Sequence, residues 1–330
     1  MKRLKTLACV VATLLLVGCQ SGTGGTASNA GAGAPKDGKK FKIGVSFPAA
    51  DHGWTAGLGY WARRAVKDYP DVDWIVEDAK GPDEQINDLQ NMQAEGVDAV
   101  VVVTTEAVPV TPIAKKLREA GILIVNVSGN FAEPVADVFI EGDNKAFGRR
   151  SAEYMVQKLG GKGKIAILEG IPISVNTDRV EAALAVFKQY PGIQIVARDT
   201  GMWNREVAQK VTENMLVNNP QIDAVWAADD DMALGVEIAL KAAGRDKNIW
   251  ILGGGGMKDI VKRVMDGDPL YPGDITYPPS MIGFGIQTTV AMLRAGKENA
   301  RPYTPRHIVL DLDLITPENA KEYYFPDSVY

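Results

Sequence analysis

Sulfur and imidazole chemistry are scarce in this chain. Of its 330 residues two are cysteine, Cys9 and Cys19, and two are histidine, His52 and His307. Both cysteines fall before residue 20, so the remainder has no disulfide, no cysteine-based zinc site and no Cys nucleophile. The histidines are too far apart in sequence to read as a metal-ligating pair, and no Gly-x-Ser-x-Gly elbow is present. Both absences argue against an enzyme, and neither a metal nor a cofactor is expected. An excess of positive charge is also missing: 36 Lys and Arg stand against 41 Asp and Glu, a net charge of −5. Nucleic-acid binding would need a cationic stripe, so no nucleic-acid partner is expected. The apolar run Leu7–Val17 is too short to remain as a membrane-spanning helix, which takes about 20 residues.

That run fits a secretory signal instead, because Lys2, Arg3 and Lys5 give it a basic start. It ends in Leu16-Val17-Gly18-Cys19, which resembles the lipobox of bacterial lipoproteins. The resemblance implies that residues 1–18 are removed as a signal peptide. Cys19 then becomes the lipidation site, tying the chain to a membrane of the cell envelope. The mature chain would carry 33 basic against 41 acidic residues, a net charge of −8. Residues 19–40, rich in Gly, Ala, Ser and Thr, read as a flexible tether with little to bury.

From Phe41 onward short β-branched runs alternate with helical patterns. Strands are expected at Phe41–Phe47, Val72–Glu77, Ala99–Val103, Leu123–Val127, Val138–Ile140, Lys164–Leu168, Gln194–Arg198, Ala224–Ala227 and Ile249–Leu252. Single helical stretches between them, such as Trp54–Asp68 and Met232–Ala243, imply parallel sheets with right-handed crossovers. The order repeats. Ile43-Gly44-Val45 is followed by Asp98-Ala99-Val100, and Ile165-Ala166-Ile167 by Asp223-Ala224-Val225, at nearly equal intervals. Two equivalent α/β units in tandem place a cleft between the carboxyl ends of their sheets, where ligands of such folds sit.

Several motifs then carry a family resemblance. They are Ile43-Gly44-Val45-Ser46 with Trp54, Gly96-Val97-Asp98-Ala99-Val100, and Gly142-Asp143-Asn144 followed by Phe147-Gly148. Further along come Ala228-Asp229-Asp230-Asp231-Met232-Ala233-Leu234-Gly235, Pro278-Pro279 and Ile282-Gly283. In this order, over about residues 41–312, the chain resembles the ribose- and galactose-type periplasmic binding proteins. The resemblance implies two similar Rossmann-like lobes of the type I binding-protein fold, joined by three crossings near Asp143, Thr276 and His307. The N-terminal lobe would comprise 41–143 plus 277–306, and the C-terminal lobe 144–276 plus 307–330. It implies a monomeric receptor in the periplasm or on the outer cell surface. That receptor would bind a sugar or polyol by domain closure and hand it to an ABC transporter permease with its ATPase. A sensory or chemotaxis receptor, or an amino-acid or nucleoside receptor of the same fold, remains an alternative.

The resemblance also points to ligand-binding residues. Trp54 is a stacking platform or a core residue, and Trp203 a platform from the second domain or a surface loop anchor. His52, in Asp51-His52-Gly53-Trp54, offers a hydrogen bond to the ligand, and Ser46 contacts ligand or satisfies backbone. Glu106 accepts from hydroxyls or sits at a helix N-terminus, favoured by its dipole. Asn176 and Arg179 bring polar contacts, or Arg179 makes a structural ion pair. Asp229 faces the ligand while Asp230 and Asp231 cap the following helix. Tyr277 stands where relatives often use Gln. Two departures matter. The Asp-Arg pair expected after the fourth strand is Ser128-Gly129 here, and the Asp of the later Gly-rich turn is missing from Gly253-Gly254-Gly255-Gly256. A bidentate grip on a pyranose is therefore in doubt, and a larger, less polar or open-chain ligand fits the change.

Overall fold

The computed structural model describes residues 40–330; the expected signal, Cys19 and nearly all of the tether lie outside them. Along the chain the first strands are β1 (Lys42–Pro48), β2 (Asp73–Ala79), β3 (Ala99–Val102), β4 (Leu123–Val127) and β5 (Val138–Gly142). Helices α1 (Gly53–Ala65), α2 (Pro82–Ala94) and α3 (Ala107–Glu119) connect the first four of them. After α4 (Asn144–Lys158) the pattern starts again with β6 (Gly163–Glu169), β7 (Ile193–Thr200), β8 (Ala224–Ala227) and β9 (Trp250–Leu252). Here the helices are α5 (Ser174–Phe187), α6 (Arg205–Asn218), α7 (Asp230–Ala242) and α8 (Lys258–Met265). The chain closes with β10 (Asp274–Ile275), α9 (Met281–Ala295), β11 (His307–Leu310) and β12 (Leu314–Ile315) among its last elements.

Two parallel sheets result. The first has the order β11-β5-β4-β3-β1-β2 and the second β7-β6-β8-β9, with parallel pairing throughout both. The shared pattern, second strand outside the first and then third and fourth on the other side, makes the two lobes topological copies. Strands covered on both faces must be apolar along their whole length, and Ala99–Val102 and Ala224–Ala227 are buried at every position. In both sheets the chain reverses its direction of travel at the first strand. The crevice at the carboxyl ends of β1 and β3, and of β6 and β8, is therefore the topological switch point.

The lobes are tied by three passages. One follows β5 at Asp143, whose Oδ1 caps α4 by accepting from Ala146 N at 2.8 Å. The second runs from β10 through Tyr277, Pro278 and Pro279 into α9, which packs on β3 and β4. The third corrects the expectation of a crossing at His307. His307–Leu310 pair in parallel with Phe139–Gly142 at the edge of the first sheet, so this passage lies between Leu310 and β12, at Asp311–Asp313. Arg150 of α4 reaches both ends of it, 2.9 Å from Asp311 and 3.9 Å from Asp313.

Close helix contact in the second lobe depends on a missing side chain. α4 and α5 pack so tightly that a Cβ on Gly148 would lie 1.8 Å from the backbone oxygen of Arg179. We expect Gly148→Ala to force the helices apart and to destabilise the protein by about 1–3 kcal/mol or more. Thermal unfolding checks this: an unchanged Tm would mean that the contact is looser than described.

Candidate functional site

The first lobe presents a polar shelf at the ends of β1, β3 and β4. Ser46 is fully buried on β1 and its Oγ accepts from Gln85 Nε2 at 3.1 Å. Gln85, on α2, also donates to Val103 O (2.8 Å) and accepts through Oε1 from Thr105 N (2.8 Å) and Thr105 Oγ1 (2.9 Å). All four hydrogen-bonding positions of this buried amide are used, which is why it can be buried without a large penalty. Sequence reasoning missed Gln85. A signal existed, for it lies on the same helical face as the buried Leu89 and Met92, where a polar residue is unexpected. Asn126 donates from Nδ2 to Val102 O and Gly129 O, while its buried Oδ1 has no partner. Glu106 is exposed at the N-cap of α3 and makes no capping bond there.

The start of α1 faces the second lobe. Asp51 Oδ1 accepts from Thr55 Oγ1 at 2.8 Å and lies 2.5 Å from His52 Nδ1. Burial pulls the His52 pKa down, but the bond to Asp51 and the negative charges of Asp229, Asp51 and Asp231 outweigh it, so the ring is held above its ordinary value. Trp54 donates from Nε1 to Tyr277 O at 2.9 Å, with the two rings 5.8 Å apart.

In the second lobe the three carboxylates divide the work differently from the expectation. Asp229, not its neighbours, is the N-cap of α7: its Oδ1 accepts from Met232 N at 2.8 Å. Asp230 and Asp231 lie inside the first turn and turn elsewhere. Asp230 accepts from Gly254 N and Met257 N, both at 2.8 Å, and the Gly run leaves room for it, since a Cβ on Gly253 would lie 2.4 Å from its Oδ1. Asp231 accepts from Arg205 Nη2 at 3.0 Å and, across the cleft, from Gly53 N of α1 at 2.8 Å. That last bond brings the two lobes together. Each acid has its own set of donors, and this separation lets three adjacent carboxylates share a helix N-terminus.

Tyr277 sits where both lobes meet. Its Oη is 3.1 Å from Ser128 Oγ in the first lobe, and its N donates to Gly255 O in the second at 3.0 Å. The Arg179 guanidinium lies 4.3 Å from its ring centroid and 3.9 Å from that of Phe147. Arg179 Nε donates to Asn144 Oδ1 and its Nη1 to Ala228 O. The geometry thus makes Arg179 a support beneath Tyr277, rather than an ion pair or a freely presented guanidinium. Asn176 Oδ1 accepts from Gly170 N at 2.7 Å. Trp203 packs against the same glycine with its indole N–H buried and unpartnered, and it and Met202 both hold left-handed backbone, φ +51 and +55.

The structure therefore gathers His52, Trp54, Asp229, Arg179 and Tyr277 at the facing strand ends. Trp203 and Asn176 flank one loop of the second lobe, Ser46 is set into the first-lobe shelf, and Glu106 is at its rim. His307, the other histidine, is on β11 and pairs with Glu141 at 2.8 Å. Cavities of about 220 and 270 Å3 lie at the opposite, amino ends of the strands. The first is lined by Arg118, Asp137 and Arg306 and the second by Asn248, Trp250 and Arg263. Each belongs to a single lobe, so neither offers groups from both. Among the described residues no group of three or more His, Cys, Asp or Glu side chains could hold a metal ion.

Two homologous α/β lobes with aromatic and acidic groups at apposed strand ends define a receptor that encloses a small solute. The comparisons agree. Residues 43–298 match the periplasmic binding protein domain, and the chain belongs to that family, one of binding proteins and not enzymes. It is 31% identical over 277 residues to a xylitol-binding protein of Mycolicibacterium smegmatis, covering 77% of this chain and 75% of that one. A D-ribose/D-allose-binding protein of Pseudomonas aeruginosa is 29% identical over 70% of this chain and 72% of its own. A solved ABC transporter periplasmic solute-binding protein from Actinobacillus succinogenes, with bound D-allose, superposes with a TM-score of 0.75. It is 28% identical and covers 86% of this chain and all of that one.

Burial raises the Asp229 pKa to about 6; the Met232 N–H opposes this, Asp231 adds to it, and His52 and Arg179 oppose it. Opening the lobes is expected to expose the carboxyl and to lower its pKa toward the ordinary value, so that closure takes up a proton. The stabilisation of the closed form is complete below about pH 4 and is lost as pH rises through 6. We expect the closed fraction without ligand, read by small-angle scattering, to rise about tenfold relative to the open form between pH 7 and pH 5. Asp229→Asn should flatten that profile, and an unchanged slope in the variant would remove Asp229 from the coupling.

Proposed function

We propose that this protein is the extracytoplasmic receptor of an ABC importer, binding a sugar or polyol by closing its two lobes. The observation that carries the reading is the convergence of Asp229, His52, Trp54 and Tyr277, from both lobes, on the switch points of both sheets. Carboxylates form charge-assisted hydrogen bonds to hydroxyls, and aromatic faces cover C–H surfaces, so the set suits a polyhydroxylated guest. In this reading Trp54 and Trp203 are platforms, and Asp229 and His52 hydrogen-bond hydroxyls. Ser46, Glu106, Asn176 and Tyr277 contribute polar edges, and Arg179 positions Tyr277.

Within the class, Ser128-Gly129 and the uninterrupted Gly run remove the charged grip that a pyranose would use. This favours an open-chain polyol or a larger, less polar guest, and one relative is named a xylitol-binding protein. Attachment through a lipid on Cys19, a monomeric state and a permease with its ATPase as partner belong to the same proposal. Among the described residues no helix is long and apolar enough to cross a membrane.

A thermal-shift screen across pentoses, hexoses, polyols, amino acids and nucleosides tests the ligand class, because a ligand of the native state alone raises its apparent stability. We expect the largest shift from a polyol. Asp229→Ala should weaken that ligand by about 1–3 kcal/mol while the chain stays folded. A response confined to amino acids or nucleosides would overturn the assignment. For the anchor, Cys19→Ser should abolish incorporation of radiolabelled palmitate in cells; persistent label would place the lipid elsewhere.

A further inference from the structure

The segment Phe325–Tyr330 carries an aromatic side chain to the seam between the lobes. Lys258 of α8 holds this segment to the second lobe, donating from Nζ to Ser328 O at 2.7 Å and to Pro326 O at 3.4 Å. Ser328 N donates to Phe325 O, and Tyr330 N to Ser328 Oγ at 3.2 Å, which folds the segment into a turn. Phe325 and Val329 are 58% and 55% exposed, yet Tyr330 is only 5% exposed. Within the segment Ser328, also 5% exposed, and Tyr330 are the buried residues, and Tyr330 is the buried aromatic.

What buries Tyr330 comes from both lobes. A Cβ on Gly53 would lie 3.1 Å from Tyr330 Cδ2, and one on Gly57 3.0 Å from Tyr330 Cβ, so the residue lies along the first turns of α1. At its other end, a Cβ on Gly255 would be 2.1 Å from Tyr330 Oη. Glycine at 53, 57 and 255 leaves the space that the tyrosine fills. Burial and the nearby charges of Asp230, Asp229, Asp231 and Asp274 keep the hydroxyl protonated, its pKa well above the ordinary value. The contact with Gly255 stays within one lobe. The contact with α1 crosses between lobes, beside the Gly53–Asp231 bond, and is lost when they separate.

We propose that Tyr330 is a positioning residue of the cleft: a wedge carried by the second lobe on which α1 of the first lobe closes. It acts on affinity by favouring the closed arrangement, not by touching the solute, and so rests on the receptor reading above. A contact present only in the closed form multiplies the closed-to-open ratio by a fixed factor. Because the solute is held by the closed form, apparent affinity for every solute falls by the same factor as the closed fraction. A residue that touched the solute would instead affect different solutes unequally.

The test uses the distance between spin labels at Lys67→Cys and Lys188→Cys, exposed positions on opposite lobes, measured without ligand in the Tyr330, Tyr330→Phe and Tyr330→Ala proteins. Calorimetric affinities for two different solutes are measured alongside. For Tyr330→Ala we expect a shift to the open distance and a loss of affinity of at least about fivefold, equal for both solutes. Tyr330→Phe, which keeps the ring, should stay within about threefold of the parent. An unchanged distance distribution in Tyr330→Ala, unequal losses for the two solutes, or a Phe variant as impaired as Ala would each overturn the proposal. Should Tyr330→Ala not fold, Tyr330→Leu takes its place, with the same shift expected and the same results overturning the proposal. If the parent binds no sugar or polyol, the receptor reading fails, while the ligand-free distances still decide the role of Tyr330.

Discussion

Burying three consecutive carboxylates between two sheets is the constraint around which this molecule is organised. An ionised carboxyl without partners in such a place is prohibitively costly, and Asp229, Asp230 and Asp231 are all nearly inaccessible. The sequence answers each with a different donor. The α7 N-terminus serves Asp229, the amides of Gly254 and Met257 serve Asp230, and Arg205 with the first amide of α1 serves Asp231. The glycine run is explained by the room that Asp230 needs beside Gly253. Part of the third answer comes from the other lobe, so closing the cleft completes the partners of Asp231.

Tyr277 complements this arrangement from the connecting passage. Its hydroxyl meets Ser128 in the first lobe, and its ring rests on Arg179 from the second. Arg179 is buried on the far side of that ring, which places its positive charge near Asp229 without bringing it to the cleft surface. The position that a charged pair would occupy after β4 is instead Ser128, in left-handed backbone, φ +62. Its hydroxyl turns toward the passage.

Much of this was legible in the sequence, and what was not has a common cause. Strands such as Leu123–Val127 and Ala224–Ala227 coincide with the expected bounds because continuous apolar runs bounded by polar loops are local signals. Tandem similarity between Ile43–Val45 and Ile165–Ile167 likewise announced two lobes. The misplaced third passage concerns β11, whose membership in the first sheet is decided by pairing with β5, far away in sequence. Among candidate site residues, the position of Asp229 just after β8 could be read from its motif. The separate roles of Asp230 and Asp231, the support given by Arg179 and the fully satisfied amide of Gln85 depend on partners that no local pattern names. The burial of Tyr330 is the extreme case, since nothing in Asp327-Ser328-Val329-Tyr330 distinguishes it from an ordinary tail.

The strand order carries a consequence for how the chain matures. The second sheet draws its strands from one uninterrupted stretch, β6 to β9, whereas the first begins with β1 and is completed only by β11. A polypeptide that emerges amino end first can therefore assemble the later sheet before the earlier one has its edge. Until His307–Leu310 arrive, β5 remains an open border with unpaired amides and carbonyls. The half that is made first is the half that must wait.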